Sequence, residues 1–157
     1  MATEIEHKFL VRNDDWRAQA YASRDFQQGY LCGDGPASVR VRIEGEQANL
    51  NIKAARVGTT RAEYEYEIPL AEAREMLATL CVAPPVLKTR HWVAHGAHTW
   101  EVDVFGGENA PLVVAEIELS HVDEDFECPD WVGAEVTHDK RYYNHALAFA
   151  PYSQWGA

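Results

Sequence analysis

Charged side chains recur in pairs two residues apart, and the two signs of charge are kept in separate segments. The acidic pairs are Glu4/Glu6, Glu63/Glu65, Glu101/Asp103 and Glu116/Glu118, and the basic pairs are Arg40/Arg42 and Lys88/Arg90. Lys53 adds another cation in the same kind of setting. Carboxylate clusters bind hard cations such as Mg²⁺ or Mn²⁺ through oxygen, and clustered arginine and lysine bind phosphate. The pattern therefore indicates a site for a complex of a metal ion with a polyphosphate.

The segments that carry these pairs alternate charged residues with β-branched and aromatic ones. A period of two with such residues predicts β-strands. The predicted strands span residues 2–11, 38–43, 48–54, 61–68, 86–93, 99–105 and 112–119, with a weaker eighth at 25–31. Helices are predicted at 13–22, 70–80 and 139–149. With no linker or repeat between them, these elements predict one α+β domain over residues 1–157.

Two arrangements of the charged strand faces are open. A polar face that meets water would explain any one strand. It explains the set less well, because a solvated surface would not sort charges by sign or collect three of the four lysines. We therefore expect an eight-stranded antiparallel β-barrel whose charged faces line a tunnel large enough for one small ligand. The apolar faces would then point outward and need the helices packed on them.

Composition narrows the classes of partner. The 157-residue chain carries a net charge of −11, which disfavours DNA, RNA and anionic membranes as partners. No apolar run approaches the ~18 residues that span a bilayer, and the first residues do not resemble a signal peptide. Three scattered cysteines without CxxC spacing predict reduced thiols and a cytoplasmic protein.

Glu4-Ile5-Glu6-His7-Lys8 forms an ExExK motif, and this motif resembles the signature of the CYTH superfamily, the triphosphate tunnel metalloenzymes. The order of later segments resembles the family pattern from residue 2 to about 149. These segments are Arg40-Val-Arg42, Lys53, the Glu63/Glu65 strand, Leu87-Lys88-Thr89-Arg90, Asp103 and Glu116-Ile-Glu118. The family fold is an eight-stranded antiparallel barrel with a charged lumen. Residues 139–144 resemble the start of the family's C-terminal helix, which packs at the end of the tunnel.

The resemblance implies a role for each matching position. The residues implied to contact the triphosphate are Lys8, Arg40, Arg42, Lys53, Lys88 and Arg90. The residues implied to hold Mg²⁺ or Mn²⁺ are Glu4, Glu6, Asp103, Glu116 and Glu118. Lys8, Lys88, Glu63 and Glu65 are expected to orient or activate the attacking water, and residue types alone leave open which of them does so. No family role falls on Glu67 or Glu101, and parity directs His7 outward.

Members of the family differ in chemistry, and this short chain looks most like the small bacterial triphosphatases. We expect hydrolysis of inorganic tripolyphosphate to pyrophosphate and phosphate. The alternatives are a thiamine triphosphatase, a class IV-type adenylate cyclase, and a protein that binds polyphosphate or nucleotide without turning it over. The expected partner is a small molecule that contains a triphosphate, and a homodimer is left open. We weigh a zinc site at His91, His95 and His98 as a minor alternative, because Gly96 interrupts the strand between them.

Overall fold

The computed structural model describes residues 2–32, 35–54 and 59–156 of the chain. The strands in these ranges are β1 (Ala2–Val11), β2 (Ala20–Cys32), β3 (Ala37–Glu44), β4 (Gln47–Ala54), β5 (Thr60–Ile68), β6 (Val86–His95), β7 (His98–Phe105), β8 (Val113–Glu118) and β9 (Val132–Glu135). The α-helices are α1 (Trp16–Gln19), α2 (Leu70–Thr79) and α3 (Asn144–Phe149). Short 3₁₀ turns occupy Gly107–Asn109, Lys140–Tyr142 and Tyr152–Gln154.

Eight strands close into an antiparallel barrel, which confirms the predicted fold class. The strands follow the order β5-β4-β3-β2-β6-β7-β8-β1, and β5 pairs with β1 to complete the ring. On one edge of β1, residues 2–5 pair with β5 and residues 9–11 pair with β9. Residues 6–10 of β1 pair with β8. Because every pairing is antiparallel and the ring is closed, one face of each strand points into a common lumen.

The hydrophobic core lies outside the barrel wall, as the outward apolar faces predict. Helix α2 packs Ala73 and Leu77 on Val41 and Ala48 of strands β3 and β4. Helix α3 packs Leu147 in a second cluster with β6, β7 and β8. The third cluster brings three fully buried tryptophans, Trp16, Trp100 and Trp131, against the wall formed by β1, β7 and β8.

Two of the predicted helices are wrong in extent. Residues 16–19 alone form α1, and β2 begins at Ala20, where pairing with β6 overrides the helical propensity of the alanine-rich segment. The predicted strand 25–31 is correspondingly longer, at Ala20–Cys32. The helix predicted over 139–149 is interrupted at Tyr143, whose backbone is extended and whose hydroxyl donates to the Thr137 carbonyl at 2.8 Å.

Strand β9 was not predicted from the sequence. Val132 is 5% exposed and pairs with Val11, whereas the neighbouring Gly133 approaches the Leu10 carbonyl closely.

No helix in the described ranges is long and apolar enough to cross a membrane. Cys32, Cys81 and Cys128 form no disulfide bond in the described part of the chain.

Candidate active site

The charged faces of the barrel strands line a cavity of about 220 Å³ in the lumen. Every residue that lines it carries a polar or charged group. The lining residues are Glu4, Glu6, Lys8, Tyr30, Ser38, Arg40, Arg42, Asn51, Lys53, Arg61, Glu63, Glu65, Lys88, Arg90, Glu101, Glu116, Glu118, Tyr143, Asn144 and His145. Twelve of the thirteen residues that the sequence singled out are among them; the thirteenth, Asp103, lies behind the lining. The alternation of the strands therefore directs the predicted residues to one place.

Antiparallel register sets opposite charges side by side on neighbouring strands. Lys8 lies opposite Glu116, and its Nζ is 2.5 Å from Glu116 Oε1 and 3.4 Å from Glu6 Oε1. Lys53 lies opposite Glu63, and its Nζ is 3.5 Å from Glu63 and 2.9 Å from Glu4. These ion pairs offset the cost of burying so many charges in one cavity.

Asp103 is fully buried and joins two of the predicted phosphate-binding cations. Lys88 Nζ donates to Asp103 Oδ2 at 2.6 Å. Arg90, directly opposite Asp103 on β6, donates from Nε to Oδ1 at 2.8 Å and from Nη2 to Oδ2 at 3.0 Å. Both carboxylate oxygens are thus occupied by protein donors, so Asp103 is arranged to hold Lys88 and Arg90 in place.

Arg40 and Arg42 differ from the other lumen cations in having few acceptors. In the described part of the chain, no carboxylate lies within 4.0 Å of Arg40, and Arg42 reaches only Glu65, at 3.8 Å. The Nε atoms of both guanidinium groups are buried without a hydrogen-bond partner among the described residues. Burial and the neighbouring guanidinium groups of Arg40 and Arg90 lower the pKa of Arg42. An anion with several oxygens would satisfy these donors and relieve the repulsion.

The ring of Phe26 lies among these cations. It is 3% exposed, and its centroid is 5.1 Å from Arg42 Cζ, 5.0 Å from Arg90 Cζ and 5.7 Å from Lys88 Nζ. An aromatic face attracts a cation without adding a formal negative charge. Phe26 therefore supports the basic side of the lumen without competing with a bound phosphate.

Two glutamates of the ExExK motif ionise very differently. Burial disfavours ionisation of Glu4, but Lys53 and Arg61 outweigh it and lower the pKa of Glu4 to about 2. Burial and the nearby Glu116 outweigh Lys8 and raise the pKa of Glu6 to about 7. The two carboxyl groups are only two residues apart, yet their different neighbours give them very different pKa values. This is expected when like charges are crowded in a poorly solvated site.

The donor set fits a divalent cation in its chemistry. Burial, together with neighbouring carboxylates, also raises the pKa of Glu101 and Glu118. A bound cation would relieve that crowding, and oxygen is the ligand that Mg²⁺ and Mn²⁺ prefer. Over the described ranges, however, no three His, Cys, Asp or Glu side chains are grouped to hold a metal ion. Glu4 and Glu116 are instead engaged by Lys53 and Lys8.

Burial differs widely among the charged residues of the lumen. The Lys88 side chain is 2% exposed and that of Asp103 is 1% exposed, whereas the Glu65 side chain is 46% exposed. Glu118 is also exposed.

Several lining residues were not assigned a role from the sequence. Arg61 contacts Glu6 at 3.1 Å and Glu4 at 3.4 Å, and its position on the same strand face as Glu63 could have indicated it. Asn51 donates to Glu65 at 2.7 Å. Tyr143 and Asn144 come from the interrupted C-terminal segment, which the family resemblance directed to the end of the tunnel without giving either residue a role.

The three histidines weighed as a zinc site lie apart from the lumen lining. His91 packs on Trp16, His95 is 3.7 Å from Glu127, and His98 is 2.5 Å from Glu124. His7, which parity directs outward, contacts Glu135 at 2.7 Å. Each of these imidazoles thus faces the outer side of the wall.

The CYTH domain model matches residues 2–145 of the chain. The chain belongs to the CYTH family. A protein of Acetivibrio thermocellus named inorganic triphosphatase is 44% identical over 155 residues, which cover 99% of each chain. An inorganic triphosphatase of Nitrosomonas europaea is 37% identical over 153 residues, which cover 94% of this chain and 98% of that one.

The fold is also similar to that of a solved structure. A crystal structure described as that of an inorganic triphosphatase matches with a TM-score of 0.68 at 35% identity. The match covers 94% of this chain and 95% of that chain. Membership of the family implies a divalent metal ion, without identifying which ion.

Proposed function

We propose that this CYTH protein is a divalent-metal-dependent inorganic triphosphatase that cleaves tripolyphosphate with water to pyrophosphate and phosphate. The observation that carries the proposal is the pair of adjacent lumen arginines, Arg40 and Arg42, whose buried Nε atoms have no hydrogen-bond partner among the described residues. The relatives named inorganic triphosphatase support the same activity. The residues that we propose to contact the triphosphate are Lys8, Arg40, Arg42, Lys53, Lys88 and Arg90.

The carboxylates proposed to hold the metal ion are Glu4, Glu6, Glu116 and Glu118, and the ion proposed is Mg²⁺ or Mn²⁺. When bound, such an ion would neutralise charge on the phosphate oxygens and lower the barrier to attack of water on phosphorus. A triphosphate would compete with Glu4 and Glu116 for Lys53 and Lys8, and the released carboxylates would then be available as ligands. Asp103 was also predicted as a ligand, but with both oxygens bonded to Lys88 and Arg90 we propose that it orients those cations.

The attacking water needs a group that can orient it and accept its proton. Burial lowers the pKa of Lys88 to about 8 despite Asp103, whereas Glu116 and Glu6 outweigh burial and raise the pKa of Lys8. Lys88 is therefore the better candidate to handle a proton near neutral pH, and Lys8 would remain a fixed cation. Glu63 and Glu65 would orient water nearer the mouth. A Lys88→Ala variant with kcat within twofold of wild type would remove Lys88 from the mechanism.

The size and lining of the cavity favour an inorganic substrate over a larger triphosphate. At about 220 Å³, it is smaller than the roughly 300–1,000 Å³ of sites for drug-sized ligands. Two aromatic side chains of the barrel strands are absent from its lining: Trp100 is buried in the outer core, and Tyr64 is 37% exposed. The rings that do line the cavity belong to Tyr30, Tyr143 and His145, each of which carries a polar group.

The test is phosphate release from tripolyphosphate, ATP and thiamine triphosphate, each with Mg²⁺, with Mn²⁺ and with excess chelator. We expect the highest kcat/KM for tripolyphosphate, equal yields of pyrophosphate and phosphate, and no turnover with chelator. Cyclic AMP as the main product of ATP would indicate a cyclase, and a preference for thiamine triphosphate would indicate a thiamine triphosphatase. Calorimetric binding of tripolyphosphate without hydrolysis under any condition would indicate a binding protein.

Other sequence predictions remain proposals. We propose a cytoplasmic location from the reduced thiols and no nucleic acid or membrane partner from the net charge of −11. A single domain over residues 1–157 and a homodimer are likewise proposals.

A further inference from the structure

Lys88 is held by the start of α3 as well as by the barrel wall. Its Nζ donates to Asp103 Oδ2 at 2.6 Å and to Asn144 Oδ1 at 3.2 Å. An ammonium group has three donor hydrogens. With two of them directed to fixed protein acceptors, the direction of the third is determined, and both Lys88 and Asn144 line the lumen.

Asn144 is itself oriented by a hydrogen bond from a buried glutamine on β2. Gln28 Nε2 donates to the same Asn144 Oδ1 at 2.8 Å. Gln28 is 0% exposed, and its Oε1 has no partner among the described residues. A buried amide with one unsatisfied end lowers stability relative to an apolar side chain of similar size. Packing alone therefore does not explain a glutamine here.

We propose that Gln28 and Asn144 form a positioning pair that directs the Lys88 ammonium group into the lumen. Gln28 and Lys88 lie on the adjacent strands β2 and β6, and Asn144 begins the helix that packs beside them. The pair therefore couples the docking of α3 to the geometry of Lys88. It acts through Lys88 and does not itself need to touch the substrate.

The amide acceptor has a specific advantage over a second carboxylate. Asp103 also accepts two hydrogen bonds from Arg90 and accepts one from Lys88. Asp103 by itself therefore fixes only one of the three N–H directions of Lys88. Asn144 supplies a second direction without adding formal negative charge to a lumen that must admit a polyphosphate. A neutral acceptor thus orients the cation without weakening its attraction for phosphate oxygens.

The kinetic test compares variants that remove the acceptor with one that keeps it. N144A and Q28A are each expected to lower kcat for tripolyphosphate about 10- to 100-fold, as when a hydrogen bond to a charged group is lost, with KM within threefold of wild type. N144D keeps an acceptor oxygen of the same reach, so it should recover most of the kcat lost in N144A, whereas its added negative charge should raise KM for tripolyphosphate above the wild-type value. The matched control is Q27A, which removes the exposed side chain of the preceding residue.

A double-mutant comparison separates action through Lys88 from a general loss of structure. In the K88A background, N144A should cost less than twofold in kcat, because its effect depends on the ammonium group. The same fold-loss in the K88A and wild-type backgrounds would overturn the proposal. So would kcat values for N144A and Q28A within twofold of wild type. Thermal unfolding of every variant shows whether it is folded at the assay temperature.

This inference rests on the proposed triphosphatase for its kinetic readout, and a spectroscopic readout keeps the two distinguishable. The chain has four lysines, so lysine labelled with ¹³C at Cε yields a spectrum of four signals. K88R identifies the Lys88 signal by its loss. N144A and Q28A should shift that signal, whereas Q27A should not. An unshifted Lys88 signal overturns the positioning pair, and absence of turnover by wild type overturns the proposed function alone.

Discussion

The pKa values of charged residues in the lumen depend on which charged side chains lie next to them. Glu4 and Glu6 share one strand face, yet Lys53 and Arg61 stabilise the ionised form of Glu4, while Glu116 opposes that of Glu6. Lys8 and Lys88 diverge for a related reason, because Lys8 has two carboxylate neighbours and Lys88 shares Asp103 with Arg90. The same side-chain type therefore serves as a fixed charge in one place and as a titrating group in another.

Glu6 gives a pH dependence of stability with a defined sign. Between about pH 4.5 and about 7, folded Glu6 retains a proton that unfolded Glu6 has lost, so stability should fall as pH rises. Between pH 5 and 8, wild type should lose on the order of 1–3 kcal/mol more unfolding free energy than E6Q. The measurement is urea denaturation in chelator. E46Q, which changes an exposed glutamate, is the control, and parallel curves for wild type and E6Q would contradict the assignment.

Arg40 should contribute mainly to transition-state stabilisation. R40Q removes a buried guanidinium group whose donors have no carboxylate acceptor within 4.0 Å in the described ranges. We expect kcat/KM for tripolyphosphate to fall by a factor that corresponds to a loss of ~2–4 kcal/mol in transition-state stabilisation, as for other preorganised donors. Steady-state kinetics provides the measurement. R12Q, at an exposed arginine, should behave as wild type, and a change below threefold in R40Q would exclude Arg40 from the site.

At the scale of elements, the outer helices keep the wall in register so that the lumen residues face one another. Helix α2 approaches β2 so closely that a Cβ on Gly29 would overlap Cys81 Sγ and lie 2.8 Å from Leu77 Cδ2. Gly29 lies between Gln28 and Tyr30, both of which contribute to the lumen or its support. Displacement of α2 at this point would therefore be transmitted to the site.

G29A tests this close approach. We expect a loss of ~1–3 kcal/mol in unfolding free energy, because the added methyl group has no space against α2. Chemical denaturation measures the loss. G29A/C81A should recover part of it, since removal of Sγ relieves the closest overlap. Equal stability of G29A and wild type would show that α2 does not constrain the wall at this strand.

Across the whole molecule, a chain of net negative charge encloses a cavity in which acidic and basic side chains are paired. The net charge of −11 repels a free polyphosphate at long range, whereas a metal complex carries less negative charge. The carboxylates proposed for the metal come from two strands, β1 and β8, which are far apart in the chain and pair side by side in the barrel. The metal requirement is therefore a property of the assembled barrel.

Substitution in this carboxylate group should change the metal requirement. E118Q is expected to raise the Mg²⁺ or Mn²⁺ concentration for half-maximal activity, and E116Q to raise it further or abolish turnover, because each removes a ligand oxygen. Metal titrations at fixed tripolyphosphate measure both effects. E67Q changes an exposed glutamate on β5 that lies outside the cavity lining and should titrate as wild type. Unchanged titration in E116Q and E118Q would place the metal elsewhere.

Much of this architecture could be predicted from local patterns in the sequence. Alternation with period two depends only on backbone pleating, so the strand faces of Arg40 and Arg42, and of Glu116 and Glu118, could be assigned from neighbouring residues. The sorting of charge along those faces then indicated that they share an interior. The apolar faces predicted the outer core for the same reason.

Pairing across strands was decided only by the tertiary structure. Closure of β5 on β1 places Arg61 against Glu4 and Glu6, and register places Asp103 against Arg90, where it bonds the cations. The helical propensity of residues 20–22 yielded to pairing with β6, and the break at Tyr143 brings Asn144 to Lys88. Strand alternation is a property of adjacent residues, whereas these contacts join residues far apart in the chain. Their geometry depends on register, closure and helix docking, which no local pattern determines.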